Sequence, residues 1–351
     1  MGRVAVAMSG GVDSTASAVI LMEKGWDVTG ITMEVAPGVG VSAVERAGKI
    51  CHRLGIPHHR IVFHRPFEES VIEPFCREYS LGRTPNPCVL CNPRVKFGLL
   101  LQSVRDMGCS HMATGHYARI AFDESTGEYR LFKGVDPRKD QSYFLHRLGQ
   151  DQLRWVIFPL GEWTKDQTRK MLGEKGIEIP ADEESQEICF IPGDDYPAFL
   201  ESRGVDVDTP GDIVDHRGEV LGRHRGLARY TIGQRRGLGI AHREPLYVTY
   251  IDREKNRLNV GSWEDLFARR FTLEAPSWVS GRSLTGPVLC RVRYRHREEP
   301  AMVESDSQGF QVTFDKPQRA ITPGQSAVFY DVGDGNRVIG GGFIREVLHE
   351  G

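Results

Sequence analysis

Near its N-terminus this 351-residue chain has no apolar run long enough to cross a membrane. The most apolar stretch there, residues 19–22 with the alanines before it, is far shorter than the roughly 20 residues that a spanning helix needs. Gly11 and Asp13 interrupt the first twenty residues, where a secretory signal would have its apolar segment. We therefore predict a cytoplasmic protein without a membrane partner.

An excess of charge of one sign is also lacking. Lys and Arg number 45 against 47 Asp and Glu, a formal charge of −2. Whole-chain charge thus does not indicate a nucleic-acid partner, and only its distribution can. The seven cysteines are odd in number, which in a cytoplasmic chain favours thiols or ligands over structural bridges. Hydrophobic residues at 40% and charged residues at 26% exclude a disordered or collagenous chain.

The length predicts two or three domains, and the secondary-structure pattern differs between the two halves of the chain. Strand-like runs at residues 4–8, 28–35, 61–63 and 112–114 alternate with helix-like segments at 15–22, 42–54 and 66–79. This alternation predicts an α/β domain with a doubly wound parallel sheet. After residue 200, short alternating runs at 246–251, 288–294, 309–314 and 326–330 predict β modules. We predict a catalytic domain over residues 1–200, a central β-rich domain over 201–262 and a C-terminal β-barrel over 263–351. One predicted helix, Lys165 to Glu174, precedes the β modules.

A glycine-rich turn, Ser-Gly-Gly-Val-Asp-Ser at residues 9–14, joins the first strand to the first helix. Its glycines allow backbone N–H groups to approach a phosphate, and a helix N-terminus favours an anion. Ser9 and Ser14 can donate hydroxyls, and Asp13 can hold the Mg²⁺ that accompanies a nucleotide. The turn lacks the lysine of a Walker A loop and lacks G-x-G-x-x-G. A plain βα turn would not need the serines and the aspartate. The stretch resembles the PP-loop of ATP pyrophosphatases, which cleave ATP between the α and β phosphates.

Candidate reactive thiols lie in two places a hundred residues apart. Cys88 and Cys91 form a C-x-x-C in a proline-rich loop, and Cys189 follows Ser-Gln-Glu-Ile. The carboxyl ends of parallel strands can bring such loops together. A thiolate there can accept sulfur as a persulfide, attack carbon or break a disulfide. Lys96 is near enough in sequence to lower the pKa of Cys91.

Other interpretations of these cysteines are less favoured. A zinc site would need a second pair of ligands at short spacing, which the sequence lacks. A thioredoxin-like redox pair is disfavoured because the prolines beside it fit poorly with a helix start. The remaining cysteines lie in apolar contexts and are predicted to be buried without a role in the chemistry: Cys51, Cys76, Cys109 and Cys290.

Six motifs together resemble those of the tRNA-specific 2-thiouridylases, a family of the PP-loop superfamily. They are S-G-G-V-D-S, T-P-N-P-x-x-x-C-N, A-T-G-H-Y, K-D-Q-S-Y-F-L, S-Q-E-I-C-F-I and Y-T-I-G-Q-R-R-G-L-G, in the family's order. The resemblance continues to Pro323-Gly324-Gln325. It implies ATP-dependent 2-thiolation of the wobble uridine of tRNA through adenylation of the uridine O2. A persulfide on Cys189 would supply the sulfur, with Cys91 as the nucleophile, and the resulting disulfide would need a reductant.

The resemblance also implies where the ligands bind. The residues implied for ATP are Ala7, Met8, Ser9, Gly10, Gly11, Val12, Asp13 and Ser14, with Met33 and Gly115 lining the adenine pocket. Those implied for tRNA are Asn86, Pro87, Cys88, His116, Lys139, Asp140, Gln141, Arg293, Tyr294 and Gln325. His116 has a competing interpretation as a hydrogen-bonded residue at a strand end. A persulfide or sulfide donor protein would be a further partner.

Cys88 departs from the family pattern. Many members have Asp at this position, a candidate acid or base at the target uracil, and a thiol with a pKa near about 8.5 is a poor substitute. Cys88, Cys91 and Cys189 instead form a three-thiol set similar to that of PP-loop thiolases that hold a four-iron four-sulfur cluster. Cluster-dependent thiolation is therefore an alternative mechanism, and an inactive paralogue is an alternative outcome.

Positive charge is concentrated in one segment. Residues 216–243 contain seven arginines and a single acid, Glu219, with Tyr230 available to stack on a base. A second set alternates along a predicted strand, which would place it on one face: Arg291, Arg293, Arg295 and Arg297. We predict a tRNA-contacting surface here. A solvated basic face, a non-catalytic tRNA-binding or sulfur-carrier protein, and another PP-loop ligase remain the alternatives.

Overall fold

The computed structural model describes residues 2–36, 41–179, 188–191, 193 and 195–348. Its first sheet has five parallel strands in the order β3-β2-β1-β4-β7. These strands are β1 (Arg3–Ala7), β2 (Asp27–Glu34), β3 (His58–Val62), β4 (His111–Ala113) and β7 (Val156–Ile157). The predicted doubly wound parallel sheet is confirmed. Hydrophobic runs such as Val4-Ala5-Val6 are fully buried, as strands covered on both faces require.

Helices connect and cover these strands. They are α1 (Val12–Glu23), α2 (Val41–Leu54), α3 (His64–Phe67), α4 (Glu73–Ser80), α5 (Pro87–Cys91), α6 (Leu101–Asp106), α7 (Ser142–Leu145), α8 (Gln150–Leu153), α9 (Lys165–Glu174) and α10 (Tyr196–Ser202). π-helical turns at Glu68–Ile72 and Asn92–Leu100 join α3 to α4 and α5 to α6. Helix α9 has the predicted bounds because Thr164 caps it, with its Oγ1 accepting the Gln167 N–H at 3.2 Å.

The cysteine pair lies at a helix start after all. Pro87 is the first residue of α5, and the Asn86 Oδ1 accepts the Cys88 N–H at 3.1 Å. Proline is favoured at this position because its missing N–H would have no intrahelical partner. The expectation that the prolines oppose a helix start is therefore wrong. Because Cys88 and Cys91 are three residues apart on one helix, they lie on the same side of it.

Two β-rich units follow. The central sheet has the order β10-β11-β8-β9, from β8 (Gly211–Val214), β9 (Val220–His224), β10 (Tyr247–Asp252) and β11 (Arg257–Gly261). The last unit is a closed six-stranded barrel of β12 (Phe267–Trp278), β13 (Gly286–Arg291), β14 (Glu299–Asp306), β15 (Gly309–Arg319), β16 (Ser326–Tyr330) and β17 (Arg337–Leu348). Pairing of β12 with β17 closes it. The predicted β modules are confirmed.

A hairpin that the sequence analysis did not predict connects the two halves. Strands β5 (Ala118–Asp123) and β6 (Glu128–Lys133) leave the α/β region directly after β4. Strand β6 then pairs with the barrel strand β17 through Leu131 and Phe132. The hairpin therefore extends the sheet of the barrel, although it belongs to the first half of the chain.

Two expectations about the basic surface are wrong. Tyr230 is only 6% exposed and packs with the core of the central sheet, so it is not available to stack on a base. Strand β13 ends at Arg291, and the Arg293 carbonyl accepts the His296 N–H at 3.0 Å in a turn. The four alternating arginines therefore do not share a strand face.

Burial of the remaining cysteines agrees with the prediction for three of the four. Cys51, Cys109 and Cys290 are buried, and Cys76 is half-buried. None of the helices in the described part of the chain is long and apolar enough to span a bilayer.

Candidate functional site

The glycine-rich loop lies where the sheet changes direction. Strands β2 and β3 lie on one side of β1 and β4 on the other, so the loops after β1 and β4 leave neighbouring strand ends in opposite directions. Such switch points are where open α/β sheets bind ligands. Gly115, in the loop after β4, approaches the first turn of α1 closely. A Cβ on Gly115 would lie 2.8 Å from the Asp13 carbonyl carbon, so a larger residue would displace α1.

The loop's own conformation depends on Gly10. Its φ of +80° lies in the region that favours glycine, and a Cβ there would lie 2.6 Å from the Arg46 Cβ on α2. The Ser14 Oγ accepts the Ser9 N–H at 3.2 Å, so the two predicted serines face one another across the turn. Helix α1 begins at Val12, and the N–H groups of a first turn have no intrahelical partners. The turn therefore presents donors where a phosphate would bind.

Other residues predicted to bind ATP flank this loop. Met33 is half-buried near the carboxyl end of β2, opposite Ile61 of β3. Met8 is buried, and its N–H donates to the Ile31 carbonyl at 2.8 Å, which continues the β1–β2 pairing into the loop. Ala7 is the last residue of β1 and is partly buried.

Asp13 is held by two groups that the sequence analysis missed. The Tyr117 hydroxyl donates to the Asp13 Oδ1 at 2.8 Å, and the Lys165 Nζ lies 2.7 Å from the same oxygen. The Asp13 side chain is 35% exposed, whereas that of Lys165 is 4% exposed. A partly exposed carboxylate is a group that Mg²⁺ binds, so Asp13 fits the expected cation. No sequence motif marks Lys165, because it lies 152 residues further along the chain.

The candidate thiols lie beside the main hydrophobic core. Cys91 packs against the main core together with Ile188, and Phe190 beside Cys189 packs edge-on against Phe67 and Phe75. These contacts place the two chain segments against one core. The preceding residues of that motif, Ser185, Gln186 and Glu187, lie outside the described residues.

Electrostatics links the three thiols to one another. Burial raises the pKa of Cys91 to about 12, and the neighbouring Cys189 and Cys88 add to the shift. Desolvation raises the pKa of Cys189 to about 11, although part of the residue faces solvent. Lys96 opposes both shifts, as predicted for Cys91, but the effect of burial is larger. The free thiols are therefore protonated near neutral pH.

The arrangement does not fit a cluster. Within the residues that the structure describes, no group of three or more His, Cys, Asp or Glu side chains is placed to hold a metal ion. Cys88, Cys91 and Cys189 are near neighbours but do not form a ligand set. We derive no step through iron and sulfide.

His116 follows Gly115 in the loop after β4. Its Nδ1 lies 2.7 Å from the Thr114 Oγ1, and the rings of Phe97 and Phe158 each lie 5.7 Å from the imidazole and 5.8 Å from one another. Burial, with Lys96 nearby, lowers its pKa well below the usual value, so the imidazole is neutral. The hydrogen bond at the strand end is the feature that the competing interpretation expected.

Several residues expected at tRNA are engaged within the protein. Asp140 is 3% exposed and accepts the Gly134 and Ser142 N–H groups. The Gln141 Oε1 accepts the Tyr117 N–H at 3.0 Å. Lys139 lies beside them in the same turn, where its N–H donates to the Asp136 carbonyl.

Arg293 and Tyr294 also make internal contacts. The Arg293 guanidinium donates to the carbonyls of Ala320 and Ile232, so it joins the barrel to the central sheet. Burial lowers the pKa of Arg293 to about 10. The ring of Tyr294 packs on Phe144 with centroids 4.6 Å apart.

Both β-rich units contact Thr84, which lies two residues before Asn86. The Gln325 Nε2 of the barrel donates to the Thr84 carbonyl at 2.6 Å, and the Thr84 N–H donates to the Pro323 carbonyl. From the central unit, the Thr231 hydroxyl lies 3.3 Å from that of Thr84. The start of the cysteine helix is thus positioned by both β-rich units.

The arginine-rich segment remains largely open to solvent. Its exposed members are Arg217, Arg223, Arg225, Arg235, Arg236 and Arg243. Arg229 is instead paired with Asp208 at 2.6 Å. Arg235, His242 and Arg243 line a shallow cleft of about 370 Å³. Phosphate groups of a nucleic acid are the natural ligands of such a surface.

The sheet with its PP-loop-like turn is typical of nucleotide-binding α/β proteins, and two β-rich units are appended to it. Three family models match in order: the tRNA methyl transferase HUP domain over residues 2–193, the tRNA methyl transferase PRC-barrel domain over 198–262, and the aminomethyltransferase beta-barrel domain over 268–344. The chain belongs to the tRNA-specific 2-thiouridylase family.

Individual relatives match over nearly the full length. The tRNA-specific 2-thiouridylase MnmA of Syntrophomonas wolfei is 46% identical over 97% of this chain and 99% of its own. Those of Heliobacterium modesticaldum and Geobacter metallireducens are each 44% identical, over 97% and 99% of this chain and 92% and 98% of theirs. Among solved structures, a predicted subunit of a tRNA methyltransferase from Methanocaldococcus jannaschii covers 50% of this chain and 75% of its own, with 21% identity and a TM-score of 0.33.

Proposed function

We propose that this protein is a tRNA-uridine 2-sulfurtransferase that thiolates the wobble uridine at the expense of ATP. The observation that carries the proposal is a chain of neighbours from the phosphate-type loop to the thiols. Gly115 lies against the Asp13 backbone, His116 follows it and lies near Lys96, and Lys96 acts on both Cys91 and Cys189. The names of the relatives agree with this activity. The proposed domains are a catalytic unit over residues 1–200, a tRNA-contacting unit over 201–262 and a barrel over 263–351.

The first step activates the base. The uridine O2 attacks the α-phosphorus of ATP, the bond to the bridging oxygen breaks, and pyrophosphate leaves. The donors of the loop and the first turn of α1 stabilise the phosphate charge that develops. Mg²⁺ bound through Asp13 would neutralise the leaving pyrophosphate. This step converts the O2 into a good leaving group, because it departs later as part of AMP.

The second step transfers sulfur. The terminal sulfur of a persulfide on Cys189 attacks C2, and AMP leaves with the former O2. The Cys91 thiol then attacks the Cys189 Sγ. Its proton passes to N3 of the uracil as the S–S bond breaks, and the sulfur stays on C2 as the thiocarbonyl. Cys91 and Cys189 finish as a disulfide, and a dithiol reductant with two electrons restores them. A separate persulfide-bearing protein would reload Cys189.

The tRNA would contact the exposed arginines of residues 216–243 and the start of α5. Single-stranded loop bases of RNA are recognised when they leave the stack. Asn86, Pro87 and Cys88 form the helix start that a displaced uracil would meet. Because Cys88 is a thiol and not the carboxylate that the family resemblance implies, the acid or base at the uracil would have to be another group.

The test is anaerobic incubation of the protein with ATP, Mg²⁺, a persulfide donor and unmodified tRNA, followed by mass spectrometry of the nucleosides. We expect 2-thiouridine that depends on ATP. Pyrophosphate release without a thionucleoside would contradict the assigned substrate or donor. The absence of both in a folded preparation would favour a non-catalytic tRNA-binding protein. Iron and acid-labile sulfide in anaerobically purified active protein would favour the cluster mechanism over the persulfide.

A further inference from the structure

One lysine reaches the glycine-rich loop from a helix far along the chain. Lys165 is the first residue of α9, and its Nζ lies 2.7 Å from the Asp13 Oδ1. Its backbone is held in place, because its N–H donates to the buried Asp136 Oδ2 at 3.0 Å. Thr164, one residue earlier, caps the same helix. The ammonium therefore lies at a fixed position beside the first turn of α1.

The surroundings pair this buried ammonium with a carboxylate. An ammonium that is 4% exposed is costly unless it is paired, and Asp13 supplies the paired charge. The Tyr117 hydroxyl, which donates to the same Oδ1, also lies 3.2 Å from the Thr168 hydroxyl on the next turn of α9. Asp13 is thus held from two sides, while part of its carboxylate faces solvent.

We propose that Lys165 supplies the cation that this loop's own sequence lacks, and that it binds the β- and γ-phosphates of ATP and the departing pyrophosphate. The inference rests on the proposed function in so far as ATP is the nucleotide. In a Walker A loop, a lysine at the end of the loop reaches these phosphates. Here the loop ends in Asp13 and Ser14, and the lysine comes from α9. When Mg²⁺ and ATP reach the loop, Asp13 exchanges the ammonium for the metal, and Lys165 turns to the phosphates.

Comparison of two nucleotides tests this role. The dissociation constants of ATP and AMP, each with Mg²⁺, are measured by calorimetry for the wild-type protein, Lys165→Met and Lys165→Arg. Lys170→Met is the matched control, because Lys170 lies on the same helix with its side chain 78% exposed. We expect Lys165→Met to raise the dissociation constant of ATP at least about tenfold, because a charged hydrogen bond is lost. The dissociation constant of AMP is expected to stay within about twofold of the wild-type value. The ATP affinity of Lys165→Arg is expected to lie between those of the wild type and Lys165→Met. The ATP affinity of the Lys170→Met control is expected to equal that of the wild type.

Equal weakening of ATP and AMP would overturn the proposal, since Lys165 would then only support Asp13 and α1. Unchanged ATP binding would overturn it as well. If Lys165→Met does not fold, the double variant Asp13→Asn/Lys165→Met removes both charges of the pair, and its ATP binding is compared with that of Asp13→Asn alone. Further loss is expected, and its absence would contradict the proposal. A wild-type protein that binds neither nucleotide would contradict the proposed function itself.

Discussion

The nucleotide side and the thiol side of this site are built in different ways. The nucleotide loop is local, because six consecutive residues, from the turn after β1 into the first turn of α1, provide its glycines, hydroxyls and carboxylate. The thiol side is assembled from segments a hundred residues apart, and its helix start is held at Thr84 by both β-rich units. A local loop needs only its own turn to form. The thiol side needs the whole fold.

This difference predicts that the two sides can be damaged separately. A change among the thiols is expected to spare ATP chemistry, whereas a change in the loop is expected to remove both steps, because adenylation precedes sulfur transfer. Lys165 is an intermediate case, since the local loop is completed by a residue from outside it.

The largest effect is expected for the thiols. Cys91→Ser and Cys189→Ser are each expected to reduce 2-thiouridine formation at least about a thousandfold, because a hydroxyl is neither the nucleophile nor the sulfur carrier that the step needs. Cys76→Ser, a half-buried cysteine on α4, is the control and is expected to retain activity. Thiolation is measured by nucleoside mass spectrometry. Substantial product from either active-site variant would exclude the persulfide relay.

A smaller loss is expected from Gly10→Ala. The added Cβ would force the backbone away from Arg46, and a misplacement of about 1 Å can cost about a hundredfold in rate. Gly25→Ala is the control, because Gly25 has a similar φ of +78° but nothing within 4 Å of the added Cβ. It is expected to cost about 1 kcal/mol of stability and to leave ATP binding intact. Equal ATP binding by both variants would show that the loop geometry is not required.

Gln325→Ala tests the thiol side of the site. Loss of its hydrogen bond to the Thr84 carbonyl is expected to lower kcat/KM for tRNA about tenfold, with ATP binding unchanged. Gln318→Ala on β15, whose side chain bonds only to the nearby Lys316 carbonyl among the contacts described, is the control. Steady-state kinetics with varied tRNA measure the effect. A weakened ATP affinity would mean that the two sides are not separable.

The smallest effect is expected from Lys96→Met. The pKa of Cys91 is about 12, so its alkylation rate should rise about tenfold per pH unit from pH 7 to 9. Lys96 lowers that pKa, and its removal should slow alkylation about threefold to tenfold at any pH in this range. The exposed Lys170→Met is the control. Alkylation that is independent of pH below 8 would show that Cys91 is already a thiolate.

Much of this architecture could be predicted from local patterns. The strand runs beside the loop and the bounds of α9 follow from hydrophobic periodicity and capping, which are local signals. The β5–β6 hairpin was missed because its place in the barrel sheet depends on a strand two hundred residues later. Burial of Tyr230 and the internal bonds of Arg293 were missed for the same reason. An arginine near a polar loop looks the same in sequence whether it faces RNA or joins two domains.

The helix start at Pro87 shows a different kind of error. The local rule was available, because proline at the first helical position after an asparagine cap is a favoured pattern. Prolines beside the cysteine pair oppose a helix interior, but they do not oppose the first helical position, which Pro87 occupies. Lys165 is the opposite case, because no pattern within either segment connects it to Asp13.

The central claim is that adenylation at the loop precedes sulfur transfer by the thiols. The most direct test is to incubate the Cys189→Ser variant with ATP, Mg²⁺ and unmodified tRNA and then quench the reaction. The tRNA is digested and searched for a nucleoside that carries AMP. The account predicts that adenylated uridine accumulates and that pyrophosphate is released in equal amount, without 2-thiouridine. Absence of the adenylated nucleoside and of pyrophosphate in this variant, while the wild type makes 2-thiouridine, would contradict the order of the two steps.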